Sequence, residues 1–275
     1  MRRCTVGRSK VEICHDVESK GVCLRAVENV EPGETLLTEL PLLSTPAAQK
    51  LAARQCTEAF CARLPKQSPE DQIVVCLAKR WIPVLYTFAE AAADVKEAVL
   101  SLQTDFAVPD SSMAQMVERL STLLHSSGLF SGSLQTQAAL SKRDIRSVLG
   151  LMIINAADTM PDGSEAVFYM GAIIEHSCSP NTKFCIQSCD AKEASKLLGK
   201  GSETQMWIGE WRATEAIKRG EAVTTSYLEP ELLQRSCASE RRRVLRARMG
   251  FECACASCAS CSDPAKLVFN LAEMD

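Results

Sequence analysis

Two clusters of residues in this sequence have the types and spacing to do chemistry. The first is Gly171 to Asn181, GAIIEHSCSPN. An apolar run, Ala172, Ile173 and Ile174, reads as a short buried segment. It stops at Glu175, His176, Ser177 and Cys178, after which Pro180 and Asn181 force a turn. An acid, an imidazole and a thiol at the end of a buried segment suit a site, although His176 and Cys178 also suit a capped core strand. The second cluster is Phe251 to Cys258, FECACASC. A C-x-C-x2-C array brings Cys253, Cys255 and Cys258 close enough to share one tetrahedral zinc. Two residues compete to be the fourth ligand. Cys261 closes the site locally, whereas Cys178 closes it from a distance and ties the tail to the first cluster.

The elements that must position these clusters are legible in outline. Residues 11–40 read as strands and turns: VEICHDV, GVCLRAV, a turn at Glu31-Pro32-Gly33-Glu34, then TLLTEL. From Pro46 to about Asn155 the spacing is helical. Ser68-Pro69-Glu70-Asp71 is a helix start with a capping hydroxyl, proline at the first position and two acids on the dipole. Pro83 is expected to break or kink that helix, which resumes over Ala89 to Leu102. Met113, Met116, Val117, Leu120, Leu123 and Leu124 form a core stripe rather than a ligand set. Ser141 with Asp144 resembles a capping box. Strands return at Ala166–Met170, Asn181–Gln187, Gln205–Ala213 and Ala222–Tyr227, with a solvated loop over Ser188–Thr204. Glu229–Arg248 reads as one charged helix, on which Arg241-Arg242-Arg243 is expected to form a solvated face.

Strands on either side of a helical block mean two domains or one sheet domain with a helical insertion. An internal repeat favours the insertion. RAVENVEPGETLLT (Arg25 to Thr38) aligns without gaps on RATEAIKRGEAVTT (Arg212 to Thr225), with six identities in 14 positions. The fold class is therefore α+β.

Composition narrows the function. The chain of 275 residues has 31 basic and 34 acidic residues and a net charge of −3, so it carries no overall basic field for nucleic acid. No apolar run approaches the ~18 residues of a membrane span. The basic start, MRRCTVGRSKVEICHD, has no apolar stretch after it and does not read as a secretory signal. The 14 cysteines are then expected to be reduced or metal-bound in the cytoplasm or nucleus.

These motifs together resemble the SET domain of protein lysine methyltransferases, and most closely the SET-and-MYND family. The family pattern N-H-S-C-x-P-N matches Glu175 to Asn181 in six of seven places. G-E-E-L-x-x-x-Y matches Gly220-Glu221-Ala222-Val223 through Tyr227, and the post-SET F-x-C-x-C-x-x-C matches Phe251 to Cys258. G-x-G-L-R-A matches Gly21 to Ala26 with one miss, and ERRRVLRARMGFEC is similar to the family's run into its post-SET cysteines. The matches cover roughly 11–40 and 145–260 in family order, with the helical block where the family inserts helices. The implied organisation is an N-terminal part of the SET domain at 1–45, a helical insertion at 46–140 and the SET core at 141–248. A post-SET zinc site at 249–262 and a tail at 263–275 complete it.

The resemblance implies S-adenosylmethionine-dependent methyl transfer to the ε-amino group of a lysine in a histone or non-histone protein. It makes Tyr227 the active-site tyrosine. It sets the cofactor against Lys20, Gly21, Val22, Asn155, Glu175, His176, Tyr227 and Phe251. It also supplies the fourth zinc thiolate from H-S-C, selecting Cys178 to join Cys253, Cys255 and Cys258. The expected state is a monomer that engages a protein substrate and neither membrane nor nucleic acid. Four departures bear on turnover. Glu175 replaces the family asparagine and would repel the cofactor carboxylate, and Cys23 replaces the second glycine of G-x-G. Ala157 and Met249 stand where the family often has aromatics, weakening cation recognition by an aromatic cage. Glu175, Ala157 and Met249 support a second reading, a catalytically weakened, zinc-stabilised interaction module. Cys56, Cys61 and Cys76 are too few and wrongly spaced for the family's MYND finger, and Asp275 precedes the position of its C-terminal helical domain.

Overall fold

The structure, a computed structural model, describes residues 9–16, 21–44, 47–64, 68–102, 112–132, 139–155, 158–161, 163, 165–189 and 206–260. They fall into two units. The first is built mainly from Glu39–Ala172, the second from Thr5–Thr38, Ile173–Gln187 and Gly209–Asp275.

The first unit is mostly helical. Helix α1 (Ala47–Arg63) packs on α2 (Pro69–Glu90). Helix α3 (Ala93–Ser101) packs on α5 (Lys142–Ile154), which also pairs with α4 (Ser112–Ser126). Helix α2 starts where the sequence predicts. Ser68 Oγ accepts from the Asp71 N–H at 3.1 Å, and an Asp71 oxygen accepts from the Ser68 N–H at 3.2 Å. Ser141 and Asp144 cap α5 in the same way. Pro83 does not break α2; the interruption falls at Ala91 and Ala92. Proline removes one helical hydrogen bond at a cost of ~3 kcal/mol. Burial of Ile82, Leu85 and Phe88 outweighs that, each contributing roughly 1.5–3 kcal/mol. By length and composition α2 could also cross a membrane, since its most apolar 18-residue stretch has a mean hydropathy of 1.2, with half of it buried. From the α4 stripe, Val117, Leu120 and Leu124 are buried with Ile145, Val148 and Leu149 of α5.

A small sheet completes this unit. Strand β4 (Leu43–Ser44) pairs antiparallel with β6 (Glu165–Val167), which also pairs with β5 (Asp158–Thr159). Arg80 holds the Glu165 carboxylate at 2.8 Å. Glu39, with no exposed surface, accepts from the backbone N–H groups of Met170 at 2.8 Å and Gly171 at 3.2 Å. Burial pushes its carboxyl up from the ordinary value of 4.5 to about 7, against the pull of those amides.

The second unit holds most of the remaining strands. Strands β1 (Val11–Asp16) and β2 (Gly21–Ala26) form an antiparallel pair with Cys14 opposite Cys23. Strand β3 (Thr35–Glu39) begins a three-stranded sheet of order β3-β9-β8, with β8 at Thr182–Cys189 and β9 at Met206–Ala213. Ser188 and Cys189 thus extend β8. The rest of the expected Ser188–Thr204 loop, and the tail 263–275, lie outside the described residues.

The two copies of the sequence repeat pair with each other about a local two-fold. Val30 and Ile217, equivalent positions, exchange both backbone hydrogen bonds at 2.8 and 2.9 Å. Gly33 N–H donates to Ala213 O at 2.9 Å, and its counterpart Gly220 N–H donates to Ala26 O at 2.7 Å. Glu34 accepts from the Glu31 N–H as Glu221 accepts from the Lys218 N–H. Both turns need a left-handed residue, and glycine supplies it at φ 87° and 81°.

The helix expected over Glu229–Arg248 is two: α6 (Pro230–Arg235) and α7 (Ala238–Met249). Ser236 and Cys237 between them are extended, and Cys237 becomes the N-cap of α7. Gly250 ends α7, its N–H shared between Leu245 O and Arg246 O, and turns the chain towards the cysteines.

Candidate active site and metal centre

The opening cluster is pinned by its own turn. Gly171–Ile173 is a half-buried 3-10 turn rather than a strand, and only Ile174 has no exposed surface. Strand β7 (Glu175–His176) pairs parallel with β10 (Thr224–Thr225), and Ser177 N–H extends the ladder to Thr225 O at 2.9 Å. Asn181, 5% exposed, holds the opposite edge. Its Nδ2 donates to Ala222 O at 2.8 Å, and its Oδ1 accepts from the Thr224 N–H at 2.8 Å. Strand β2 flanks the same segment through the bond from Val223 N–H to Leu24 O at 2.8 Å.

His176 sits between backbone and sulfur. Its Nδ1 accepts from the Tyr227 N–H at 3.0 Å, so the neutral ring carries its proton on Nε2, 3.3 Å from Cys178 Sγ. Burial, then the Arg241 charge, pushes its pKa down to about 4. The Tyr227 hydroxyl donates to Ile174 O at 2.5 Å. Burial, then the Glu175 charge, pushes that phenol up to about 12. Phe251 closes the group, 5.9 Å from the His176 ring and 6.3 Å edge-on from Tyr227. At neutral pH this cluster is an uncharged aromatic wall with one fixed hydroxyl.

Cys178, Cys253, Cys255 and Cys258 converge beside it, their sulfurs all within 4.8 Å of one another. Cys178 Sγ lies 3.5 Å from Cys258 Sγ and 3.9 Å from Cys253 Sγ. A tetrahedral metal with bonds of about 2.3 Å to sulfur requires edges of about 3.8 Å, so the cluster has the dimensions to bind zinc. The loop bearing three of the thiols is closed by the short helix α8 (Ala256–Ala259). Burial opposes ionisation of Cys255, yet N–H donors of Cys178 and Cys258 lower its pKa to about 6. Partial burial, then its contact with Cys258, pushes the half-buried Cys178 thiol up.

The structure thus brings together Glu175, His176, Tyr227, Phe251 and the four cysteines in one unit. Gly21 and Val22 open β2 in that unit, Val22 with 40% of its surface exposed. Asn155 belongs to the first unit, where it caps α5 and donates from Nδ2 to Leu151 O at 3.2 Å. Lys20, Ala157 and Cys261 lie outside the described residues, while Met249 is half-buried at the end of α7.

Two residues of the site have roles that the motifs do not disclose. Asn181 ends the N-H-S-C-x-P-N pattern and reads as a turn former, but it is the clamp on β10. Arg241, expected on a solvated face, is 8% exposed and lies against the cysteines, whereas Arg243 of the same run is exposed. The signal for Arg241 was its place on the face shared with Ala238 and Leu245, at helical spacing.

The SET domain family matches residues 21–228, well over half of the sequence. The chain belongs to the SET-domain family. No curated protein matches it closely enough to count as a relative. Among solved structures, the SET domain of LSMT bound to MeLysine and AdoHcy matches with a TM-score of 0.52 and 14% identity, over 92% of this chain and 54% of that one. The same domain bound to Lysine and AdoHcy matches with a TM-score of 0.45 and 15% identity, over 90% and 54%. The chain spans about half the length of these structures, and at such identity the 0.52 match speaks for the fold alone.

Proposed function

We propose that this chain is the catalytic part of a protein-lysine N-methyltransferase that uses S-adenosylmethionine. The observation that carries the reading is the His176–Tyr227–Phe251 wall built against a four-cysteine cluster, on a chain of the SET family. A structural neighbour that binds methyl-lysine and AdoHcy supports it. The run ERRRVLRARMGFEC and the post-SET spacing favour the SET-and-MYND branch. We assign the cofactor to Lys20, Gly21, Val22, Asn155, Glu175, His176, Tyr227 and Phe251, and zinc to Cys178, Cys253, Cys255 and Cys258. The partner is a protein presenting a lysine, and the chain acts as a monomer in the cytoplasm or nucleus.

When bound, S-adenosylmethionine supplies a methyl group on a cationic sulfur. The chain's own residues do the rest. The substrate Nζ must arrive neutral, which from a reference pKa of ~10.4 costs roughly 4 kcal/mol near pH 7.4. Burial of its stem against apolar walls lowers that pKa. Tyr227 keeps its proton to about pH 12 and is no base at neutral pH, so the Nζ proton leaves to solvent. The Tyr227 oxygen, locked by its bond to Ile174 O, still offers lone pairs that align a polarised C–H group. Alignment rather than proton transfer then provides most of the rate.

Glu175 favours the second reading, a weakened SET-fold interaction module held together by zinc. A carboxylate there would accept from the cofactor's ammonium but would repel its carboxylate. Calorimetric titration with S-adenosylmethionine, followed by tritium transfer to a lysine peptide or histone array, separates the readings. We expect binding and transfer, with Glu175→Asn tightening the cofactor by roughly 3- to 10-fold, about one charge interaction at partial exposure. No binding by either protein at millimolar cofactor removes the enzyme reading and leaves the module.

A further inference from the structure

Arg241 is a buried cation that the methyl-transfer reading does not use. Its Nη1 donates to Ser236 O at 2.6 Å, and its Nη2 lies 3.5 Å from Ser257 Oγ and 3.7 Å from Cys258 Sγ. Its Nε is buried with no hydrogen-bond partner among the described residues. No carboxylate among the described residues forms an ion pair with it, although Glu240 and Glu252 pair with Arg243 and Arg246 nearby. A guanidinium keeps its proton, so a buried one needs an anion beside it. Here the anion at hand is sulfur. Four thiolates around one divalent zinc carry a net charge of minus two, and donors to those sulfurs help to hold it. Arg242 braces the same loop, donating from Nε to Cys253 O at 3.1 Å and from Nη2 to Cys258 O at 3.0 Å.

We propose that Arg241 is the charge-compensating positioning residue of the metal centre: its guanidinium bonds the Cys258 thiolate, offsets the cluster's negative charge and so controls how tightly zinc is kept and how reactive the thiolates are. This inference rests on the zinc reading above. Electron density drawn from Cys258 towards Arg241 makes that sulfur a poorer nucleophile, so the cluster resists alkylation and exchange.

The test compares the zinc-loaded wild-type chain with Arg241→Met, Arg241→Lys and Arg243→Met. Zinc content is measured by elemental analysis, affinity by competition with a chromophoric chelator, and release rate during treatment with N-ethylmaleimide. We expect one zinc in the wild type and roughly 10- to 100-fold weaker affinity in Arg241→Met, with faster release. Arg241→Lys retains the charge without the fork and should fall between, which keeps the test decisive if Arg241→Met does not fold. Arg243→Met, on the exposed face, should match the wild type. Wild-type affinity and release in both Arg241 variants overturns the role of Arg241 while the zinc reading stands. A wild-type chain without zinc overturns both.

Discussion

At the scale of single residues, burial sets the protonation of the groups that matter. His176 is held neutral and Tyr227 protonated because each loses water and gains a fixed backbone partner. Glu39 follows the same rule with a consequence for stability. Its folded-state pKa, about 7, stands above the ordinary 4.5, so the native state holds the proton more tightly than the unfolded chain. Its contribution is therefore complete below about pH 4.5 and is lost as pH rises towards and through 7, at up to ~1.4 kcal/mol per pH unit. Urea unfolding between pH 4.5 and 8 should show this decline in the wild type and a flatter profile in Glu39→Gln. Parallel profiles would exclude Glu39 as the source. The carboxyl's role is also positional, since it gathers the Met170 and Gly171 amides that lead into the GAIIEHSC stretch.

At the scale of elements, short strands persist because side chains add bonds that two-residue ladders lack. β7 and β10 share a register of only Glu175–Thr224 and His176–Thr225. Asn181 adds bonds to Ala222 O and Thr224 N, and Thr182 Oγ1 donates to Thr224 O at 2.8 Å. Asn181→Ala leaves the half-buried Ala222 carbonyl and Thr224 amide without these partners, each costing about 1–3 kcal/mol. A loss of about 2–3 kcal/mol in chemical denaturation is expected, with cofactor binding weakened in step. A loss below about 0.5 kcal/mol would mean that the clamp is redundant. Element boundaries were legible where chemistry is local, as at the Ser68 and Ser141 caps. They were illegible where packing decides: Pro83 sits inside α2, and the run after Glu229 divides at Ser236–Cys237.

At the scale of the whole molecule, the four-cysteine cluster joins two separate segments of the second unit, with Cys178 contributed from far upstream of the cysteine loop. Removing zinc with a strong chelator should therefore loosen more than the loop: Phe251 and Tyr227 pack in the same buried group as Cys253, Cys258, Leu228 and Leu245. We expect Cys178→Ser to lose zinc and lower the thermal midpoint, and Cys261→Ser to keep both, as read by elemental analysis and calorimetry. The reverse pattern would make the finger local and detach the metal from the His176 turn.

Residue types and short spacings by themselves determined the family pattern, the candidate ligands, the two capped helix starts and the repeat. These are legible because each depends on neighbours within a turn or a few residues, or on a direct match of one stretch to another. Only the tertiary structure decided that the two repeat copies pair with each other through Val30 and Ile217. It also decided that His176 presents Nε2 to sulfur, that Asn181 clamps β10 and that Arg241 turns inward. Each of those depends on which distant residues come to face one another, and a buried charge or amide acquires its meaning from that partner. Arg241 shows the difference most clearly. In the sequence it is one of three arginines on a charged helix, and in the fold it is the cation beside four thiols.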